Sequence, residues 1–361
     1  MRAKMLALTR YGSLGSSSRL RMLQYFPTLA SAGFDVQVQP LFDDEKLAAR
    51  YRKGDYGLAT LIGCYSQRIL SLLNSRKFHL IWIEKEALPW CPLWLEQLLV
   101  SGKPYVLDFD DAVFHHYDRH RFSIVRHLYG KRIDRLMAKA SLVVCGNEYL
   151  AQRAKHAGAP WVEVLPTVID LERYPINEQK NSSTPRIVWI GSPSTVKYLN
   201  VLREPLQALA KKIPFQLRVI GGELTLEGVQ TECLRWTEAS EVRDIMECDV
   251  GVMPLENTPW ELGKCGYKLI QYMACGLPVV ASPVGVNATI VEQGVNGFLA
   301  TSPNQWLESF ERLLSDEQIR EILGTAGRDK VKKQYCLQVT GPKLVRWLSD
   351  TAERASSGNN S

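Results

Sequence analysis

Short apolar runs of four to seven residues recur along this chain, separated by amphipathic stretches at helical period. That alternation is the sequence form of parallel βαβ units. In the first half it predicts strands over 4–8, 34–40, 80–83, 105–109, 142–145 and 162–164, with helices between them, notably over 18–32 and 127–139. The stretch 178–185, EQKNSSTP, has no apolar period and reads as a linker. The pattern restarts with a strand from Arg186 that ends in Gly191, followed by runs at 215–221, 229–234, 250–253 and 278–281. A helix is expected from Pro342 to Glu353, then a frayed tail rich in Ser, Asn and Gly. The expected organisation is 1–177, a linker at 178–185, 186–340, and a C-terminal segment 341–361. Two α/β halves imply a cleft, with ligands outside the carboxyl ends of the strands.

A length of 361 residues suits two ordinary domains, and 45% hydrophobic with 23% charged residues excludes a disordered or fibrous chain. No apolar run approaches the roughly eighteen residues of a spanning helix. Residues 1–11 read as a buried strand, because a secretory signal needs a longer apolar stretch and a small-residue cleavage site. The eight cysteines include no CxxC pair, which argues against a zinc site or a disulfide framework and for thiols in a reducing cytoplasm. A net charge of +6 fits an anionic partner, whether nucleic acid, a nucleotide diphosphate or an anionic membrane surface. The basic residues form no RNA- or DNA-binding module, so no nucleic-acid partner is expected.

Three segments carry candidate chemistry. After the first strand, GSLGSSSR (12–19) leads into a helix, and Gly15 and Ser16 offer close backbone approach and helix-start N–H groups to an anion. A plain turn capped by Ser16 to Ser18 explains the same residues. The loop is neither a Walker loop nor GxGxxG. Arg19 and Arg21 either meet a phosphate or are solvated. The second segment places Asp108, Asp110 and Asp111 at a strand end, before His115 and His116. Three carboxylates so close repel one another, and three readings stay open: a metal, a general base with its partner, or loop caps. Downstream, Arg119, Arg121, Arg126, Lys131, Arg132, Arg135 and Lys139 form either a solvated helix face or a surface for an anionic acceptor or lipid headgroups.

The third segment lies in the second half. Gly191, Ser194, Thr195 and Lys197 follow a strand and open a helix, which suits a diphosphate. Lys264, Cys265, Gly266 and Tyr267 form a glycine-containing turn that leads into a helix bearing Gln271. The pieces YMACGLPVVAS, PVGVN and IVEQGVNGFLA closely resemble the donor-binding segment of GT-B glycosyltransferases, the retaining family 4 type also called glycosyl transferases group 1. GSLGSSSRLRMLQYFPTLASAGFDV and VLDFDDAVF resemble a bacterial branch acting on cell-surface polysaccharides, so the resemblance spans nearly the whole chain.

The resemblance implies a GT-B α/β fold: two Rossmann-like domains facing each other across a cleft, the first for the acceptor and the second for the donor. It implies transfer of a sugar from a nucleotide-sugar donor to a glycan or lipid-linked glycan hydroxyl, with retention. No metal or cofactor is expected beyond the nucleotide-sugar co-substrate, since protein charge replaces the cation. The expected location is cytoplasmic, with peripheral contact at the inner face of the plasma membrane. Such enzymes hold the diphosphate with an arginine directly after the strand-ending glycine and a lysine five residues later; here these positions are Ser192 and Lys197. Two family glutamates eight positions apart fall on Gly263 and Gln271. Gln271 can still bond a ribose, whereas sugar recognition must come from Glu261, Lys264 or the Cys265–Tyr267 backbone. Lys197 then stabilises the leaving diphosphate, Asp110 or Asp111 orients the acceptor, and domain closure excludes water. The two lost glutamates also admit a non-catalytic or regulatory sugar-nucleotide-binding subunit, and a GT-B nucleotide-sugar epimerase is a third reading.

Overall fold

The computed structural model describes residues 3–175 and 184–358, with side chains to residue 354. The chain divides into two compact units, Met1–Thr167 with Thr340–Ser361, and Val168–Val339. Most of the linker stretch 178–185 lies outside the described residues.

The first unit holds six parallel strands: β1 (Ala3–Tyr11), β2 (Phe34–Phe42), β3 (Leu80–Glu84), β4 (Tyr105–Phe109), β5 (Leu142–Cys145) and β6 (Val162–Val164), in the order β2-β1-β3-β4-β5-β6. Strands β3, β4 and β5 are buried at every position, as expected of a parallel sheet covered on both faces. Pro40 lies in β2, an edge strand, where its missing N–H costs no ladder bond on the open side. The chain order reverses between β1 and β3, which makes their carboxyl ends the unit's switch point.

The second unit repeats the design with β7 (Arg186–Ile190), β8 (Gln216–Ile220), β9 (Gln230–Leu234), β10 (Val250–Met253), β11 (Val279–Ala281) and β12 (Gly297–Leu299). Their order, β12-β11-β10-β7-β8-β9, is the doubly wound one, with its switch point between β7 and β10. Trp189, Leu206, Phe215, Trp306 and Phe310 anchor its core.

Four elements differ from the sequence expectation. The helix over 18–32 is three pieces, Ser16–Arg21, a 3-10 turn at Leu23–Tyr25 and Phe26–Ser31. Pro27, lacking an N–H, restarts the helix in its first turn instead of continuing it. The helix over 127–139 is Ser123–Tyr129 and Arg132–Met137, divided at Gly130. Strand β12, only three residues long, was not anticipated. The last helix runs Leu337–Gly358 and, from Thr340, belongs to the first unit. There the hydroxyls of Thr340 and Tyr25 lie 3.0 Å apart, and the Arg354 guanidinium stacks 4.5 Å from the Trp161 ring centre.

Candidate functional site

In the second unit, β7 and β10 pair only at Ile187–Val250 and Val188–Gly251, so their carboxyl ends are free to diverge. The Tyr272 hydroxyl spans the divergence: it accepts from the Ile190 N–H at 3.0 Å and donates to the Val252 carbonyl at 3.4 Å. Gly251 makes room for it, since a Cβ there would lie 2.3 Å from the Tyr272 ring. At Gly191 a Cβ would meet the Trp189 ring at 2.5 Å. The turn is locked by the Thr195 N–H on the Ser192 carbonyl (2.9 Å) and the Ser192 N–H on Thr195 Oγ1 (3.1 Å). Ser194 is exposed, with its hydroxyl 2.9 Å from that of Ser192.

Three lysines gather on the elements around this switch point, each with its ammonium over an aromatic ring. Lys197 is exposed over Tyr198 (5.4 Å to the centroid), Lys264 lies over Trp260 (5.2 Å) and Lys268 over Trp189 (4.9 Å). The Tyr198 hydroxyl donates to Glu261 at 2.6 Å, joining the segments that carry Lys197 and Lys264. Burial raises the Glu261 carboxyl, but hydrogen bonds from Thr258 and Tyr198 outweigh it and hold it below the usual range. With both oxygens engaged in the protein, Glu261 is a brace for the turn. Gly266 adopts φ +66°, and a Cβ there would lie 2.3 Å from Ile290, so glycine sets the angle at which helix Tyr267–Ala274 begins. Cys265 is buried beside it, and Tyr267 is half-buried.

Gln271 does not open onto this surface. It is 2% exposed, and its amide nitrogen donates to the Tyr174 hydroxyl at 3.2 Å. Tyr174 is itself buried, and Arg328 binds its carbonyl at 2.8 Å. No sequence pattern marks the roles of Tyr174, Tyr272 or the Gly251 notch; only the tertiary pairing reveals them.

The first unit carries a separate buried polar cluster at its own switch point. Arg21 forms a bidentate pair with Asp108 at 2.7 and 3.2 Å, both side chains about 1% exposed. Burial pushes the Asp108 carboxyl up to about 6 even so. Glu84 accepts from Ser18 Oγ at 2.6 Å and from the Arg10 N–H at 2.7 Å. Directly after β3, Lys85 takes φ +64° in a tight turn closed by the Glu86 N–H on the Glu84 carbonyl (2.8 Å). Its ammonium reaches Asp110 at 2.8 Å, Ser17 at 3.0 Å and Asp111 at 4.0 Å. Burial opposes charge on Asp110, but Lys85 and the Ser17 hydroxyl at 2.5 Å prevail and lower it to about 2. Asp110 is therefore the inner carboxylate of the pair and Asp111, with 25% of its side chain exposed, the outer one. Lys85 was not expected; a Glu-Lys-Glu run at a strand's carboxyl end was its only signal.

Gly15 and Ser16 stand in the first unit, at the start of helix Ser16–Arg21. The anion that the neighbouring loop amides bind is internal: Ser13 N–H (3.2 Å), Ser13 Oγ (2.6 Å) and Leu14 N–H (2.9 Å) all donate to the Asp44 carboxylate. Arg19 closes the same turn on the Ser13 carbonyl. His115 bridges Asp118 and Tyr149 at 2.8 Å each, a structural placement. His116 is lowered by partial burial and by Arg10. Among the described residues no three His, Cys, Asp or Glu side chains group as a metal cage.

Residues 184–316 match the family model described as glycosyl transferases group 1. An uncharacterised glycosyltransferase of Methanocaldococcus jannaschii is 29% identical over 136 residues, 34% of this chain and 37% of that protein. Spore coat protein SA of Bacillus subtilis is 33% identical over 183 residues, 44% of this chain and 47% of that protein. The chain thus matches less than half the length of these two relatives. Among solved structures, Anabaena HepE in complex with UDP-glucose is similar with a TM-score of 0.73 at 17% identity, covering 96% of this chain and 99% of that one. At that identity the likeness speaks for the fold. The chain thus has the GT-B α/β fold, and its residues 184–316 match the glycosyl transferases group 1 model.

Proposed function

We propose that this protein is a glycosyltransferase that moves a sugar from a nucleotide-sugar donor to an acceptor hydroxyl, with retention, in cell-surface polysaccharide or lipopolysaccharide assembly in the cytoplasm. The carrying observation is the group of Lys197, Lys264 and Lys268 at the β7–β10 switch point, inside the segment that matches the family. Departure of a nucleoside diphosphate builds negative charge on the bridging oxygen. Fixed ammonium groups and helix-start amides placed before the reaction stabilise that charge without reorganising. Ser192 replaces the family arginine, and in this reading Lys264 and Lys268 supply the missing charge. In the first unit Asp111, more exposed than Asp110, orients the acceptor, while Lys85 and Asp110 hold its loop.

UDP-glucose, bound by the structurally similar HepE, is the first donor to try. Release of nucleoside diphosphate from one nucleotide sugar in a panel, reduced at least tenfold by Lys197→Ala, is the expected result. Nucleotide binding with no turnover on any acceptor would instead favour the non-catalytic subunit. One observation supports that reading: Gln271, at the position of a family glutamate, is buried against Tyr174.

A further inference from the structure

The first unit exposes a surface that the chemistry above does not use. Helix Leu93–Val100 presents Trp94 and Leu98 at 66% and 65% exposure, and helix Ser123–Tyr129 presents Ile124 and Leu128 at 61% and 64%. The two helices are neighbours, because one groove of about 520 Å³ is lined by Trp94 of the first and Leu128 and Tyr129 of the second, together with Arg135 and Lys139. The apolar area continues through Trp90, whose ring packs on His120 at 5.8 Å, to Phe122, 5.5 Å from His120. Large apolar side chains so clustered at the surface mark an interaction site.

The charge around them has one sign. Arg119, Arg121, Arg126, Lys131, Arg135 and Lys139 are all exposed, and none pairs with a carboxylate among the described residues. The one acid between 119 and 139 is Asp134, which Arg153 neutralises at 2.6 Å. Arg121 lies 4.6 Å from the Phe122 ring centre, so cation and apolar face are presented together. A folded protein would need a matching apolar ridge inside a continuous acidic rim. An anionic bilayer supplies both at once: headgroup charge for the cations, and an interfacial layer where Trp and aliphatic tips insert.

We propose that this face, built by Leu93–Val100, Ser123–Tyr129 and the basic residues 119–139, docks the protein on an anionic lipid surface. The full chain should co-sediment with phosphatidylcholine vesicles containing phosphatidylglycerol and stay in the supernatant with phosphatidylcholine alone, and rising salt should release it. Arg119→Ala/Arg121→Ala/Lys131→Ala should weaken vesicle binding on the order of a hundredfold, at about fivefold per cation. Ile124→Ser/Leu128→Ser should also weaken it. Circular dichroism and an unchanged melting temperature would show that both variants fold. Equal affinity for neutral and anionic vesicles, or full binding by both variants, would overturn the proposal. So would a lipid-free dimer that Ile124→Ser/Leu128→Ser dissociates, since the face would then belong to a second copy of the chain.

Discussion

Lys197 is exposed, with its ammonium over Tyr198, so its removal deletes charge without opening a cavity. Lys197→Ala should weaken UDP or GDP binding by about tenfold or more, the scale of one charge-assisted hydrogen bond, with circular dichroism unchanged; equal affinity would remove it from the site. Asp110 behaves differently, because Lys85 and Ser17 hold it in a nearly closed setting. Asp110→Asn leaves Lys85 short of a partner and should lower stability by about 3 kcal/mol. The pH dependence follows from its lowered value. An aspartate at about 3.9 when unfolded and about 2 when folded adds stability above pH 4 that fades as pH falls toward 2. The melting-temperature gap between wild type and Asp110→Asn should therefore shrink across that window, and a constant gap would contradict the assignment. Lys197 could be proposed from the sequence because a strand, a glycine and a lysine lie within one short stretch. Lys85 was not, because its role depends on a positive φ and on partners brought in from two other strand ends.

At the scale of elements, glycines and loops fix where the side chains stand. Gly266→Ala must hold φ +66° and push into Ile290, and should cost about 2 kcal/mol. A drop of several degrees in melting temperature, with weaker donor binding, is the expected readout. The glycine loop after β1 takes an internal carboxylate, so Asp44→Ala should loosen 12–19 and speed amide exchange there, most at Ser13 and Leu14. Unchanged exchange would show that the loop holds its shape without Asp44. Strand periodicity located eleven of the twelve strands, because buried parallel strands leave short apolar runs. β12 opens on Gly297 directly after Asn296, a turn pair that masks the short run of Phe298 and Leu299, and the broken helices turned on Pro27 and Gly130 inside otherwise helical patterns.

For the whole molecule, the sequence foresaw two α/β units, and the structure has two parallel six-stranded sheets. What it did not show is that the last helix returns to the first unit: helical periodicity in 337–358 says nothing of which core receives Leu344 and Leu348. The segment proposed to bind the donor could be singled out because its residues are contiguous, and it lies within the stretch that matches the family model. The Gln271–Tyr174 bond joins residues ninety-seven positions apart and was invisible until the chain folded. The central proposal is that the β7–β10 switch point holds the diphosphate of a nucleotide sugar. The most direct test titrates the full chain with UDP-, GDP- and other nucleotide sugars while following its melting temperature, in parallel with Lys197→Ala. Saturable stabilisation by one donor, approaching 2.7 kcal/mol at about a hundred times its Kd and weakened in the variant, is the predicted result. No stabilisation by any donor, or the same curve for wild type and Lys197→Ala, would contradict it.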